Sequence, residues 1–352
     1  MLTTLSTIRI EYSLLFICLF IHCNNQPESN TSTGTTASKS MEITARHPGK
    51  FYGSQDSLTV DTFLYNQKLL QLVHNKPSGK WPAKAVYPLE GAILPFKRIV
   101  AFYGNLYSTG MGILGELPPD QMLARLEAEV KKWEEADSTT PVQPALHYIT
   151  VTAQRSPGPH HKYTLRMPDS QVDRVLEMAK KINALTFLDI QTGHSTLRDE
   201  IPGLKKYLLL PDVHLGIDPE YSMKGGEVPC SVIGTFDASD INYASEYLAQ
   251  LVKEYHLPPK VLVVHRFTKA MVTNYTKIKT RAEVQIVINM DGFGYPARKI
   301  DTYMSWIAGE PVQFTGFKLF YKQDILHKKV PLLMQPAEIL KLYPQPIYIQ
   351  YQ

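Results

Sequence analysis

Apolar residues fill eight short runs between residues 98 and 352, and the polar residues of each run gather at its C-terminal end. The runs read RIVAFYGN (98–105), ALHYITVTAQ (145–154), LTFLDIQTG (185–193), DVHLGIDPE (212–220), KVLVVHRFT (260–268), VQIVINMDGFG (284–294), FTGFKLFY (314–321) and PIYIQYQ (346–352). Runs this short and this rich in Val, Ile, Phe and Tyr are strands buried on both faces. Each but the last is followed by a stretch predicted as a helix, at 119–136, 169–183, 195–208, 238–256, 268–278, 298–308 and 335–343. Leu123, Leu126 and Val130 show the three and four spacing of a barrel-facing stripe. Buried strands alternating with helices are parallel βαβ units, and eight of them close into a barrel whose chemistry sits at the strand C-termini. The expected fold is therefore α/β, a (β/α)8 TIM barrel with the final outer helix missing.

An extra helix is predicted ahead of the barrel. Residues 61–75 place Phe63, Leu64, Leu69, Leu70, Leu72 and Val73 at near-helical spacing behind Asp61, a capping residue type. This helix is expected to cover the exposed flank or the floor of the barrel. Residues 76–97 carry four prolines and read as an irregular connector into the first strand. The segments 103–118 and 221–237 are long and glycine-rich, as lids or substrate walls at a catalytic face are.

The N-terminus has a different character. Arg9 precedes an apolar stretch from Ser13 to Ile21 that is shorter than the roughly 20 residues a bilayer requires. Cys23 and a Ser/Thr/Gly-rich run follow. The whole resembles a bacterial lipoprotein signal, which implies a signal peptide over 1–22, lipidation at Cys23, a flexible tether over 23–45 and the barrel domain over 46–352. An ordinary secretory leader is the alternative, and either exports the barrel. The lipoprotein reading places it in the bacterial cell envelope, anchored to the membrane on the periplasmic or surface side. Cys18 and Cys23 fall in the leader, so Cys230 alone cannot form a disulfide inside the domain. With 37 basic residues against 33 acidic ones, spread along the chain, no basic patch exists to hold nucleic acid, which is set aside as a partner.

Alternation along the strands decides which polar residues point into the mouth. In the fourth run His214, Gly216, Asp218 and Glu220 share one face, so Asp218 and Glu220 point inward together. Two carboxyls at that range do not both ionise in a low-dielectric mouth, and one is expected to donate a proton at neutral pH. Asp189 and Asp291 are the further catalytic candidates. Tyr103, Asn105, Gln154, Gln191, His265, Asn289, Lys318, Tyr321 and Gln350 are the expected substrate-binding groups.

Ile217-Asp218-Pro219-Glu220 together with Asn289-Met290-Asp291 resembles the glycoside hydrolase barrels, nearest the chitinase-like family 18 and lysozyme-like family 25 patterns. In the chitinase-like family the strand-four motif is Asp-x-x-Asp-x-Asp-x-Glu, whose last Glu is the acid and whose preceding Asp orients the substrate. Here the final Asp-x-Glu is present, and Val213 and Gly216 stand at the positions of the first two aspartates. The resemblance implies a glycosidase with Glu220 as acid, Asp218 tuning it, and Asp291 or Asp189 as second carboxylate, acting without cofactor or metal on a glycan or other small polar substrate. Two other readings stay open: a metal-dependent phosphodiesterase or deacetylase with Asp189, Asp218, Glu220, His265 and Asp291 around a cation, and a non-catalytic glycan-binding lipoprotein.

Overall fold

The computed structural model describes residues 60–158, 160–326 and 332–352. The signal peptide, the tether, Cys23 and the first residues of the barrel domain lie outside the described residues. No helix among the described residues is long and apolar enough to cross a membrane.

All eight predicted strands form: β1 (Arg98–Gly104), β2 (Val142–Ala153), β3 (Leu185–Ile190), β4 (Val213–Ile217), β5 (Lys260–Arg266), β6 (Val284–Met290), β7 (Phe314–Leu319) and β8 (Tyr348–Tyr351). Each pairs in parallel with the next, and β1 pairs with both β2 and β8. The sheet is thus a closed (β/α)8 barrel, as expected, with no free edge. At the seam Phe102 and Tyr351 pack edge to face, and Trp133 of the Pro119–Ala136 helix donates to the Tyr351 hydroxyl at 3.0 Å.

The N-terminal helix runs from Thr62 to Leu72, and Asp61 caps it by accepting from the amides of Phe63 and Leu64. Of its two expected positions it takes the floor. Tyr65 and Leu72 join Leu94, Ile99, Phe314 and Ile347 in the apolar cluster that fills the lower barrel. Gln285 of β6 fastens this plug, accepting from the amides of Ile93 and Leu94 at 3.0 Å and donating to the Leu94 carbonyl at 2.5 Å.

The outer layer departs from prediction in places. Residues 268–278 are not a helix: Val272–Thr273 pairs with Phe236–Asp237, and a 3-10 turn spans Tyr275–Lys277. The buried Arg266 guanidinium takes the carbonyls of Thr268, Lys269 and Val272, while Asp237 accepts from the Thr273 hydroxyl. Groups that a helix needs for its own ladder are therefore committed elsewhere. The predicted helix at 195–208 breaks into Leu197–Glu200, a 3-10 turn at Ile201–Leu204 and Lys205–Leu208, because Pro202 and Gly203 interrupt it. The predicted 335–343 helix shortens to Pro336–Ile339.

Candidate active site

Inward parity carries a layer of polar residues around the upper barrel. Tyr103 of β1 stands in register with His147 of β2, Asp189 of β3 with Gly216 of β4, His265 of β5 with Asn289 of β6, and Lys318 of β7 with Gln350 of β8. All eight are buried or nearly so. The two ladders that matter most run one residue past their strands. The Asp218 amide donates to Ile190 and the Asp291 amide to Arg266, which keeps both aspartates pointing inward before the chain turns.

Two glycines make room for this layer. A Cβ on Gly216 would lie 2.4 Å from His147 Nε2 and 2.5 Å from Asp189 Oδ1, and one on Gly316 would lie 2.6 Å from Asn289 Oδ1. The place where the chitinase-like motif has its second aspartate is therefore taken here by two neighbouring side chains.

The polar groups form one connected network. Tyr103 donates to Asp189 at 3.1 Å. Asp189 lies 3.5 Å from the Nε2 atoms of both His147 and His265. His265 Nδ1 is 2.9 Å from Asp291, and Lys318 Nζ is 2.9 Å from the other Asp291 oxygen. The Lys318 ammonium also sits 3.8 Å from the centre of the Tyr103 ring. Below, His147 Nδ1 meets the Tyr348 hydroxyl at 2.7 Å, and Gln350 donates to the same hydroxyl at 2.9 Å.

Glu220 does not continue the strand. It sits in a 3-10 turn, Pro219–Tyr221, whose N-terminus is capped by Asp218, the Asp218 carboxylate accepting the Glu220 amide at 3.0 Å. The proline forces the turn, and the cap holds the two carboxyl groups close. Gly234 seals the far side by donating to the Glu220 carbonyl at 2.7 Å.

Protonation divides the carboxyl groups into two sets. Burial, with the negative Asp189 and Asp291 nearby, pushes Asp218 up to about 7 against the pull of His265 and Lys318. Burial and then Asp218 and Asp291 push Glu220 up to about 8. Asp291 and Asp189 are buried too, yet Lys318 and His265 hold the first below the usual carboxylate range, and His265 and His147 hold the second far below it. Burial opposes a charge on His265, but Asp189 and Asp291 override it and raise this imidazole to about 10. His147 goes the other way, lowered by burial to about 4. At neutral pH the site thus holds two carboxylates, an imidazolium, an ammonium, and two carboxyl groups able to give up a proton.

Of the predicted residues, Asp218, Asp291, Asp189, Tyr103, His265, Asn289, Lys318 and Gln350 converge in this network, with Glu220 at its edge. Four do not. Asn105 braces its own loop, donating to the Ile149 carbonyl and accepting the Tyr107 amide. Gln154 lies past β2, its amide bonded to Tyr163. The Gln191 side chain accepts the Ala153 amide. Tyr321 packs outside the barrel, stacked on Tyr351 and covered by Arg125. Asp189 is enclosed between two histidines and the Tyr103 hydroxyl, which leaves Asp291, whose charge acts on Glu220, as the candidate second carboxylate. His147 and Tyr348 were not predicted. Both lie inside apolar runs; Tyr348 shares the parity of Gln350, whereas His147 has the opposite parity to Gln154, because the β2 register shifts between Ile149 and Val151.

No protein-family model matches the chain. No curated protein matches it. Among solved structures, a ruminal GH26 endo-beta-1,4-mannanase is 11% identical with a TM-score of 0.32, over 72% of this chain and 59% of that one, so this chain spans less than two thirds of that protein's length. The Bacillus subtilis mannanase man26 is 11% identical with a TM-score of 0.40, over 83% of this chain and 86% of that one. A Burkholderia cenocepacia dihydropteroate synthase complexed with 7,8-dihydropteroate is 11% identical with a TM-score of 0.35, over 73% and 86%. Likeness at this level carries no reaction with it, and the barrel is established by its strand pairing. The chitinase-like and lysozyme-like resemblance rests on the residues themselves, Ile217-Asp218-Pro219-Glu220 and Asn289-Met290-Asp291.

Proposed function

We propose that the barrel is a glycoside hydrolase in which Glu220 protonates the leaving oxygen, Asp218 raises the proton affinity of Glu220, and Asp291 is the ionised second carboxylate. The observation that supports this most is the split between adjacent carboxyl groups at the strand C-termini: Asp218 and Glu220 are raised to about 7 and about 8, while Asp291 is held ionised by His265 and Lys318. An acid and a base of opposite protonation state in one low-dielectric site are what cleavage of a glycosidic bond requires. The substrate class is a glycan of the cell envelope or the surroundings, consistent with export and lipid anchoring at Cys23. Mass analysis of the mature N-terminus tests the anchor: a diacylglyceryl cysteine at position 23 is expected, and an unmodified N-terminus elsewhere rules it out.

Glu220→Gln keeps the shape and removes the proton. Turnover should fall by roughly 10² to 10⁴ while glycan binding persists. Because the acid must be protonated, the wild-type rate should fall as pH rises through about 8. A Glu220→Gln protein as active as wild type on the same glycan would overturn the assignment.

A further inference from the structure

Three buried side chains from β2, β3 and β5 aim nitrogen and oxygen atoms at one point inside the barrel. His147 Nε2 lies 3.5 Å from Asp189 Oδ1, and His265 Nε2 lies 3.5 Å from Asp189 Oδ2. One ligand atom from each residue falls within 4.8 Å of the other two. All three residues are wholly buried, and neither Nε2 atom nor Asp189 Oδ1 has a hydrogen-bond partner.

The spacing is informative. An N–H···O hydrogen bond spans about 2.7 to 3.2 Å, so 3.5 Å is too long for one. Ligands on a tetrahedral metal at bond lengths of about 2.0 to 2.2 Å stand roughly 3.4 Å apart, close to the separation of each imidazole from the carboxylate oxygen that faces it. The outer nitrogens have neighbours of the kind that orient ligating imidazoles, a carboxylate beside one and a hydroxyl bonded to the other. His265 Nδ1 is 2.9 Å from Asp291 Oδ2, and His147 Nδ1 is 2.7 Å from the Tyr348 hydroxyl. A His147 that donates its Nδ1 proton to Tyr348 turns an Nε2 lone pair toward a carboxylate oxygen. In that tautomer two acceptors face each other in a dry interior, and a cation between them satisfies both. Gly216 serves the same junction, since a side chain there would collide with both His147 Nε2 and Asp189 Oδ1.

We propose that His147, Asp189 and His265 bind one divalent transition metal of the zinc type, with Asp291 and Tyr348 as the groups that orient the two imidazoles. Two imidazoles and a carboxylate suit zinc, cobalt or nickel and leave a fourth coordination position for water. The negative charges of Asp189 and Asp291 offset the dication beside Lys318. The site borders the glycosidic one: the ion would take the place of the proton on His265 Nε2, and its charge would stand in for that of the imidazolium beside Asp291.

The test uses the full chain, stripped with a chelator and titrated with Co²⁺ alone and then with Zn²⁺ alone. One equivalent of Co²⁺ should produce the strong visible absorption of a four-coordinate site, Zn²⁺ should abolish it, and either ion should raise the melting temperature. His147→Gln and His265→Gln should lose both the band and the melting shift. Tyr348→Phe should keep the band but weaken affinity roughly 10- to 100-fold. Exposed His160 and His161 are elsewhere on the chain, so signal from them survives the two glutamine variants. A wild type with neither band nor melting shift, or a band that persists in both glutamine variants, makes the cluster a buried ion pair only. If the glutamine variants fail to fold, an unchanged Co²⁺ affinity in Tyr348→Phe overturns the site.

Discussion

Asp218 shows how one side chain both serves and strains the site. Its carboxyl is 2% exposed and accepts one hydrogen bond, from the Glu220 amide, so its charged form has little solvation. In the unfolded chain the same group titrates near 3.9. A folded value raised to about 7 means that the native state holds a proton the unfolded state has lost, so stability falls as pH rises from about 4 to about 7. Asp218→Asn removes that loss. The variant should melt like wild type at pH 4 and become progressively more stable relative to it up to pH 7, by at most about 1.4 kcal/mol per pH unit, with the gap constant above. Thermal melts at several pH values measure this, and a gap independent of pH would refute it. The same variant should move the alkaline limb of the rate profile to lower pH, because Asp218 is a negative neighbour that raises Glu220. At this scale the sequence is readable only where parity holds. Asp189, His265 and Lys318 sit on strands, Asp291 follows its strand directly with the ladder still running, and all four point as alternation requires. Asn105, Gln154, Gln191 and Tyr321 stand beyond the strand ends, where a turn resets the direction of each side chain. His147 escaped notice for the opposite reason: it is surrounded by apolar residues and looks like packing.

Elements were legible in proportion to how local their causes are. The eight strands carry their own signal, since each is apolar on both faces. The first helix does too, with Asp61 at its cap. Residues 268–278 carry a helical pattern but form none, because Arg266 captures three of their carbonyls and Asp237 binds Thr273, partners that sequence spacing does not reveal. The floor is held in the same non-local way. Gln285 makes three hydrogen bonds to Ile93 and Leu94 across the barrel. Gln285→Leu leaves those backbone groups buried without partners, and should cost about 1 to 3 kcal/mol per unsatisfied group. The plug should loosen before the barrel does, so the amides of Ile93 and Leu94 should exchange with deuterium faster in the variant while those of β3 and β4 keep their protection. Uniform protection throughout would show that the plug is held by its apolar contacts alone.

The barrel as a whole depends on its last strand. β8 gives β1 and β7 their partners and carries Tyr348 and Gln350 into the polar layer. Ending the chain at Tyr343 opens the sheet along two edges, and the shortened protein should show no cooperative thermal transition. A retained transition would mean that seven strands suffice. The closed floor has a consequence for the timing of any reaction above it. With Leu94, Tyr65 and Leu72 stopping the lower end, a site at the strand C-termini is reached and left from the upper end alone. A departing product therefore occupies the route of the next arrival. Product inhibition should be competitive with substrate, and turnover should slow in step with added viscogen where departure limits the rate. A noncompetitive pattern would reveal a second passage through the wall.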